Sequence, residues 1–254
     1  MTLFKELSEL CERLREISGR NDKISLVVRF LRRLEGAEIS WASRLLIGRT
    51  LPTTMSEELN VSHGTLMDLE SVHSTLTIEP LTIKEVGETL LRIAKTSGYG
   101  SMERKKNMLR GLLGRMTDLE RRWFMKMIIG EMQHGVNEGL LLEALSETSG
   151  TPIESIHRAY MLTGDIGELA QVAIEGGRDR IESIKLEVYR PVMPMLAEDC
   201  KDVDELFKDY AGEYRAEYKV DGARVQVHYA EEGVRIFSRR MNEITQSIPD
   251  IVEQ

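Results

Sequence analysis

The sequence predicts a multi-domain chain, α then α+β: an all-α domain over residues 1–188, followed by the opening strands of an α+β domain over residues 189–254. Three observations carry that expectation. Apolar residues recur at helical spacing through residue 176. The period changes to two beyond "EGGRDR" at 175–180. Between the two regimes, Pro191 and Pro194 mark a stretch that cannot be helix interior.

The helical part reads in order. Leu3, Leu7, Leu10, Leu14 and Ile17 share one helical face, and so do Leu26, Phe30, Leu31 and Leu34. The first of these is read as a core helix rather than an interaction helix. Capping boxes are expected at Thr82–Glu85, Thr117–Glu120 and Thr151–Glu154, where a Thr is followed three residues later by Glu. Pro152 fits the first position of the third helix, where its missing N–H costs nothing. Gly36, Gly48, Gly64, Gly98 and Gly176 read as stops and turns. No fixed-period repeat is visible, which argues against a solenoid. The thirteen methionines read as filler between helices.

After residue 183 the elements shorten. "IKLEV" alternates from Ile184 to Val188, and "DVDELFKDY" (202–210) reads as a short helix. Tyr214, Ala216, Tyr218 and Val220 then lie on one strand face, with Glu213, Arg215, Glu217 and Lys219 on the other. Asp221-Gly222 reads as a hairpin turn. In the next strand Ala223, Val225, Val227 and Tyr229 alternate with Arg224, Gln226 and His228. Glu232-Gly233 is a second turn, and "VRIFSRR" starts a third strand.

Composition narrows the function classes. No run of eighteen apolar residues exists, so no membrane span is expected. The N-terminus lacks the apolar core of a signal peptide. Cys11 and Cys200 are far apart, without His or Cys neighbours at metal spacing, which points to a reducing cytoplasm and no metal site. The five histidines are read as structural or solvated, His228 on a solvated strand face.

The net charge of −8 conceals a local excess of the other sign. From Arg92 to Lys126 there are ten basic and three acidic residues, which leaves about −15 for the remainder. Within it, "TSGYGSMERKKN" leads a glycine loop into a basic helix. Backbone N–H groups there, with Arg104, Lys105 and Lys106, would suit phosphate. A solvated helical face with a chance charge run remains the other reading.

The hairpin at 217–229 raises a sharper question. A two-residue turn at Asp221-Gly222 would set Lys219 opposite Arg224, with Glu217 one pleat behind. Like charges across a strand pair are destabilising. An anion between them would turn that cost into a binding site. A neighbouring guanidinium and desolvation both favour the neutral, nucleophilic amine.

Glu217–Arg224, "EYKVDGAR", resembles the KxDGxR motif of nucleotidyltransferases that form a covalent lysyl-nucleotide: DNA ligases, RNA ligases and mRNA-capping enzymes. Four fixed positions recur by chance in roughly one chain of this length in six hundred, so context is needed. Ser238-Arg239-Arg240 follows where that family has a second Ser-Arg, and Arg240 is as good a candidate as Arg239. Pro191–Ala197 is similar to the PxxPMLA segment that opens the adenylation domain of ATP-dependent DNA ligases. Ile128–Leu145 resembles a helical segment of the DNA-binding domain of archaeal and eukaryotic ligases. The chain is thus identified as resembling an ATP-dependent DNA ligase of archaeal type along essentially its whole length.

That resemblance implies an all-α DNA-binding domain followed by part of a nucleotidyltransferase (ATP-grasp-like ligase) domain. Lys219 would attack the α-phosphate of ATP, Glu217 would read or orient the adenine, and Arg224 and Arg239 would contact ribose or phosphate. AMP would then pass to the 5′-phosphate at a nick, and the 3′-hydroxyl would displace it. Mg²⁺ is implied on the phosphates. Nicked duplex is the implied partner, gripped through its backbone, and a sliding clamp is a candidate partner. Replication, repair, recombination and cell division are the implied settings. Only 35 residues follow Lys219, so the family's later motifs are expected outside this sequence. The alternative expectation is a non-catalytic module that binds nicked DNA.

Overall fold

A computed structural model describes residues 1–61, 64–65, 69, 79–195, 200, 202, 204, 207–208, 212–213 and 215–252. The helical part comprises α1 (Phe4–Glu16), α2 (Arg20–Leu31), α3 (Ala37–Leu46), α4 (Ile83–Lys95), α5 (Ser101–Arg115), α6 (Asp118–Ile129), α7 (Glu138–Ser149), α8 (Ile153–Thr163) and α9 (Ile166–Glu182). Beyond it come β1 (Val225–Ala230), β2 (Gly233–Ser238), a 3-10 turn (Thr245–Ser247) and α10 (Pro249–Val252). The described part is helix-rich with one small antiparallel sheet.

The helices form because each presents one apolar stripe to a common core. α1 buries Phe4, Leu7, Leu10, Cys11 and Leu14, and α4 buries Ile83, Val86, Leu90 and Ile93. Phe4 meets Phe124 edge-on at 6.1 Å, and the neighbouring Trp123 is fully buried, its indole N–H on Glu12 at 2.9 Å. The N-terminus is stitched in: Phe4 N–H donates to Leu81 O, Ile83 N–H to Thr2 O, and Thr2 gives two bonds to the buried Glu38 carboxylate. α1 is therefore a core helix, as its pattern indicated.

α3 and α9 are joined by a buried ion pair. The Arg44 fork meets Asp165 at 2.5–3.1 Å. Asp165 also accepts from Thr53 N–H at 3.0 Å and caps α9 through Glu168 N–H at 2.8 Å. Burial alone would raise the Asp165 pKa, but the Arg44 bonds and charge, with those two N–H donors, hold it below the ordinary carboxylate value.

The caps divide. Thr117–Glu120 is a full reciprocal box. Thr82 accepts from Glu85 N–H, but the Glu85 carboxylate is drawn away to Arg115. The box expected at Thr151–Glu154 does not form: Pro152 occupies the N-cap position, α8 begins at Ile153, and the buried Thr151 hydroxyl has no partner. Asn137 and Asp165 cap α7 and α9 instead. Gly176 lies within α9, and the break falls one residue on, at Gly177 (φ 59°).

The strand region departs further from expectation. Ile184–Val188 carries no ladder, and the helix expected over 202–210 is described only at 202, 204, 207 and 208, the last three helical. Tyr214 lies outside the described residues, and residues 215–220 form no strand. Asp221-Gly222 is accordingly not a hairpin turn. β1 begins only at Val225 and pairs with β2, from Val225↔Ser238 to Ala230↔Gly233, across a Glu231-Glu232 turn. The outer side of β2 takes the returning chain, where Ile244 N–H donates to Ile236 O and Phe237 bridges Glu243.

The faces of β1 are also inverted. Val227 and Tyr229 are exposed (49 % and 80 %), whereas Gln226 and His228 are half-buried. The cause is residues 189–192, which lie against this face. Tyr189 N–H donates to His228 Nδ1 at 3.0 Å, and the Gln226 side-chain amide bonds both the N–H and the carbonyl of Val192. His228 thus has a structural partner, and its ring meets Phe237 edge-on at 5.0 Å.

Candidate functional site

The segment carrying the lysine has no regular secondary structure and is exposed. Lys219 and Asp221 side chains are 93 % and 96 % exposed, and Lys219 Nζ lies 3.6 Å from Asp221 Oδ1. Glu217 and Arg224 are exposed too, with Arg224 one residue before β1. Because the hairpin is absent, Lys219 does not face Arg224 across a strand pair. Arg239 and Arg240 sit together at the tip of a tight turn closed by Ser238 N–H to Asn242 O and Met241 N–H to Ser238 O, both 2.9 Å. Both arginines are exposed, so the structure makes no choice between them. The four nucleotide-site candidates are all solvent-facing and do not enclose a cavity in this arrangement.

The basic segment spans the end of α4, all of α5 and most of α6. Its loop is shaped by Gly98 and Gly100, with φ of 82° and 71°. Arg104 folds back on that loop, donating to Tyr99 O at 2.8 Å and Ser97 O at 2.9 Å. Lys105 is buried (6 % exposed), and its ammonium donates to Leu59 O at 2.8 Å. To touch a phosphate it would have to leave that carbonyl. Lys106 is half-buried and has partners of its own. Arg110 is exposed, bonded to Glu103 and Asn107, while Arg115 and Arg122 pair with Glu85 and Glu12. Most of the surplus charge is thus locally tethered, and Arg92, Lys95 and Arg104 are exposed cations next to the loop.

Two adjacent residues join the β hairpin to the helical body. Tyr189, at φ 65°, turns toward the hairpin: its hydroxyl donates to Gly233 O at 2.8 Å, and the Arg235 guanidinium lies 4.5 Å from its ring centroid. Arg190 turns the other way and donates to Thr163 O and Glu168 at 2.6 and 2.5 Å. Met193 N–H then donates to Met161 O at 3.0 Å. Sequence pattern did not single out Tyr189, Arg190 or Gln226. The one usable signal was the proximity of Pro191, which fixes the local backbone but not its partners.

The remaining titratable groups are structural. His134 is buried, with Nδ1 accepting from Val136 N–H at 3.1 Å and Nε2 on Leu46 O at 3.0 Å. Those partners fix the Nε2–H tautomer. Burial, with Lys23 and Lys126 nearby, lowers its pKa to about 4. His157 is exposed, and His63 and His73 lie outside the described residues. Burial pushes the Cys11 thiol far up, which makes it inert. Among the described residues no cluster of three or more His, Cys, Asp or Glu is placed to hold a metal, and no helix is long and apolar enough to cross a membrane.

Two family models match the chain. One, described as DNA ligase N terminus, covers residues 69–146, and one, described as ATP dependent DNA ligase domain, covers residues 194–254. A DNA ligase of Archaeoglobus fulgidus is 34 % identical over 284 aligned residues, covering 99 % of this chain and 51 % of that protein. The DNA ligase 1 of Korarchaeum cryptofilum is 35 % identical, covering 99 % and 50 %. A probable DNA ligase of Rhodococcus opacus is 32 % identical, covering 98 % and 48 %. The chain spans about half the length of the curated relatives it matches.

Proposed function

Since the chain belongs to the ATP-dependent DNA ligase family, we propose that it supplies the N-terminal half of an enzyme that seals nicks in duplex DNA. The observation that carries this reading is the position of "EYKVDGAR" inside the segment matched as an ATP-dependent ligase domain. In it, Lys219 Nζ attacks the α-phosphorus of ATP: a P–N bond forms, the bond to pyrophosphate breaks, and the amine proton leaves to solvent. The AMP moves to the 5′-phosphate at the nick, and the 3′-hydroxyl displaces it as the strand joins. Glu217 addresses the adenine, and Arg224 and Arg239 address ribose or phosphate. Mg²⁺ on the phosphates would neutralise their charge, and among the described residues no cluster of three or more His, Cys, Asp or Glu is placed to hold it.

On this reading residues 1–188 are the all-α DNA-binding domain and residues 189–254 the beginning of a nucleotidyltransferase domain. The exposed setting of Lys219 fits a fragment of the site whose enclosing walls come from elsewhere. The helical part grips the backbone, since a nick must be accepted whatever its sequence. The enzyme acts in replication, repair and recombination in the cytoplasm, with a sliding clamp as a partner.

The test is a chimera in which residues 1–254 are followed by the corresponding remainder of the Archaeoglobus fulgidus ligase. With α-labelled ATP it should take up label at Lys219 and join a nicked duplex. Lys219→Arg should take up none, because a guanidinium is not neutral near pH 7 and cannot attack. Label retained on the Lys219→Arg chimera would move the nucleophile elsewhere. A chimera that binds nicked DNA but takes no label with Lys219 intact would favour the non-catalytic module.

A further inference from the structure

Tyr99 stands at the tip of the loop between α4 and α5 with its ring fully exposed. The loop that carries it is nevertheless fixed. Gly98 and Gly100 on either side hold left-handed conformations, Ser101 N–H donates to Gly98 O at 3.1 Å, and Arg104 N–H donates to Gly100 O at 3.2 Å. The Arg104 guanidinium spans the carbonyls of Ser97 and Tyr99. That clamp neutralises two carbonyl dipoles that would otherwise repel a phosphate. It also leaves the ring with no role in packing, and Met102, half exposed, follows in the first turn of α5. The exposed cations Arg92 and Lys95, in the last turn of α4, lead into the loop.

An apolar ring on a rigid stalk among cations fits a polyanion that also offers apolar surface. Single-stranded nucleic acid is read by several aromatics in succession. Here the other aromatics of the basic segment, Trp123 and Phe124, are fully buried. One ring beside a phosphate track fits the deoxyribose faces of a duplex minor groove.

We propose that Tyr99 is a non-ionic contact to duplex DNA, its ring packing on minor-groove sugars beside the phosphates that the basic loop engages, with Arg104 as the residue that positions it. This rests on the reading of the helical part as a DNA grip, and it adds a contact whose signature differs from that of charge. Removing the ring weakens binding equally at every salt concentration, because no counterion is released there, whereas removing a phosphate contact also flattens the salt dependence.

The experiment titrates a labelled nicked duplex with the full chain at several salt concentrations. Tyr99→Ala should bind about tenfold more weakly, the worth of one packed ring, with the wild-type salt slope. Tyr99→Phe should bind as the wild type does. Lys95→Ala should lower the slope by about one. Far-UV circular dichroism should be unchanged, since the ring supports nothing. Wild-type binding with a steep salt slope but unaltered affinity in Tyr99→Ala would overturn the Tyr99 contact and leave the DNA grip standing. Affinity lost for single strands but not for the duplex would overturn the minor-groove placement. A wild-type chain that binds no duplex would overturn the DNA grip itself, and the Tyr99 contact with it.

Discussion

The Gln226 side-chain amide on β1 holds both backbone polar groups of Val192, accepting from its N–H at 2.9 Å and donating to its carbonyl at 2.5 Å. A side-chain amide here does the work of a missing strand, satisfying one donor and one acceptor of a segment that has no ladder. With the Tyr189 bonds to His228 and Gly233 on one side and the Arg190 bonds to α8 and α9 on the other, it fixes the hairpin on the helical body.

Gln226→Ala should therefore loosen that attachment without disturbing the helices. Two half-buried hydrogen bonds are lost, roughly 1–2 kcal/mol together, which raises the detached population about tenfold. Limited proteolysis should cut faster between residues 189 and 224, while the helical body keeps its melting temperature. An unchanged cleavage rate would mean that Tyr189 and Arg190 suffice alone.

Asp165 gathers Arg44, Thr53 N–H and Glu168 N–H in one buried place. Removing one member of a buried pair strands the other, at a cost of about 3–5 kcal/mol. Asp165→Ala should lose about that much in urea unfolding, and Asp165→Asn less. The folded carboxyl is held below its ordinary value. The stability it gives is present above the unfolded value, near 3.8, and is lost as pH falls through the lower folded one. A double-mutant cycle with Arg44→Met that showed no coupling would refute the pair as a stabilising unit.

His134 gives the opposite kind of group a similar pH signature at higher pH. Its folded pKa is about 4 against an ordinary 6.5, so between those values the unfolded chain binds the proton and the folded chain does not. Stability should then be full above about pH 6.5 and fall toward pH 4, by roughly 3 kcal/mol in all. His134→Gln should be less stable at pH 7.5 yet decline less between pH 6.5 and 4.5, measured by urea unfolding at each pH. Parallel pH profiles for the two proteins would show that His134 is not the titrating group.

How much of this was legible beforehand depends on the kind of interaction. The helices of residues 1–182 were readable because burial of a stripe is a local, periodic requirement, and Leu7, Leu10 and Leu14 meet it. The Thr117–Glu120 box was readable for the same reason. Long-range partners were not. Nothing in "TPIE" says that Glu154 will leave Thr151 unpaired, and nothing in a run of cations says that Lys105 will reach inward to Leu59 O along its apolar stem. The inverted face of β1 has the same origin, since Val227 faces solvent only because residues 189–192 take the other side. The KxDGxR motif is what the proposed chemistry of Lys219 rests on, but its strand pairing depends on partners that the local sequence does not name.

The last expectation concerns Lys219 in this chain alone. Its side chain is 93 % exposed, its nearest charged partner is Asp221, and Glu217, Arg224 and Arg239 face solvent. Attack on an α-phosphate needs donors already aimed at the developing charge, and losing one such donor typically costs about a hundredfold to a thousandfold. Here several candidates are present but none converges on the amine. Residues 215–220 pair with no strand, and Tyr218 and Val220 among them lie exposed, so this stretch is prone to association. The 254-residue chain, incubated with α-labelled ATP and Mg²⁺, should bind nicked duplex but take up little or no label and join nothing. The chimera measured alongside sets the scale for full labelling. Stoichiometric label on Lys219 of the isolated chain would mean that residues 215–240 close around the nucleotide unaided, and that the open arrangement is only one of its states.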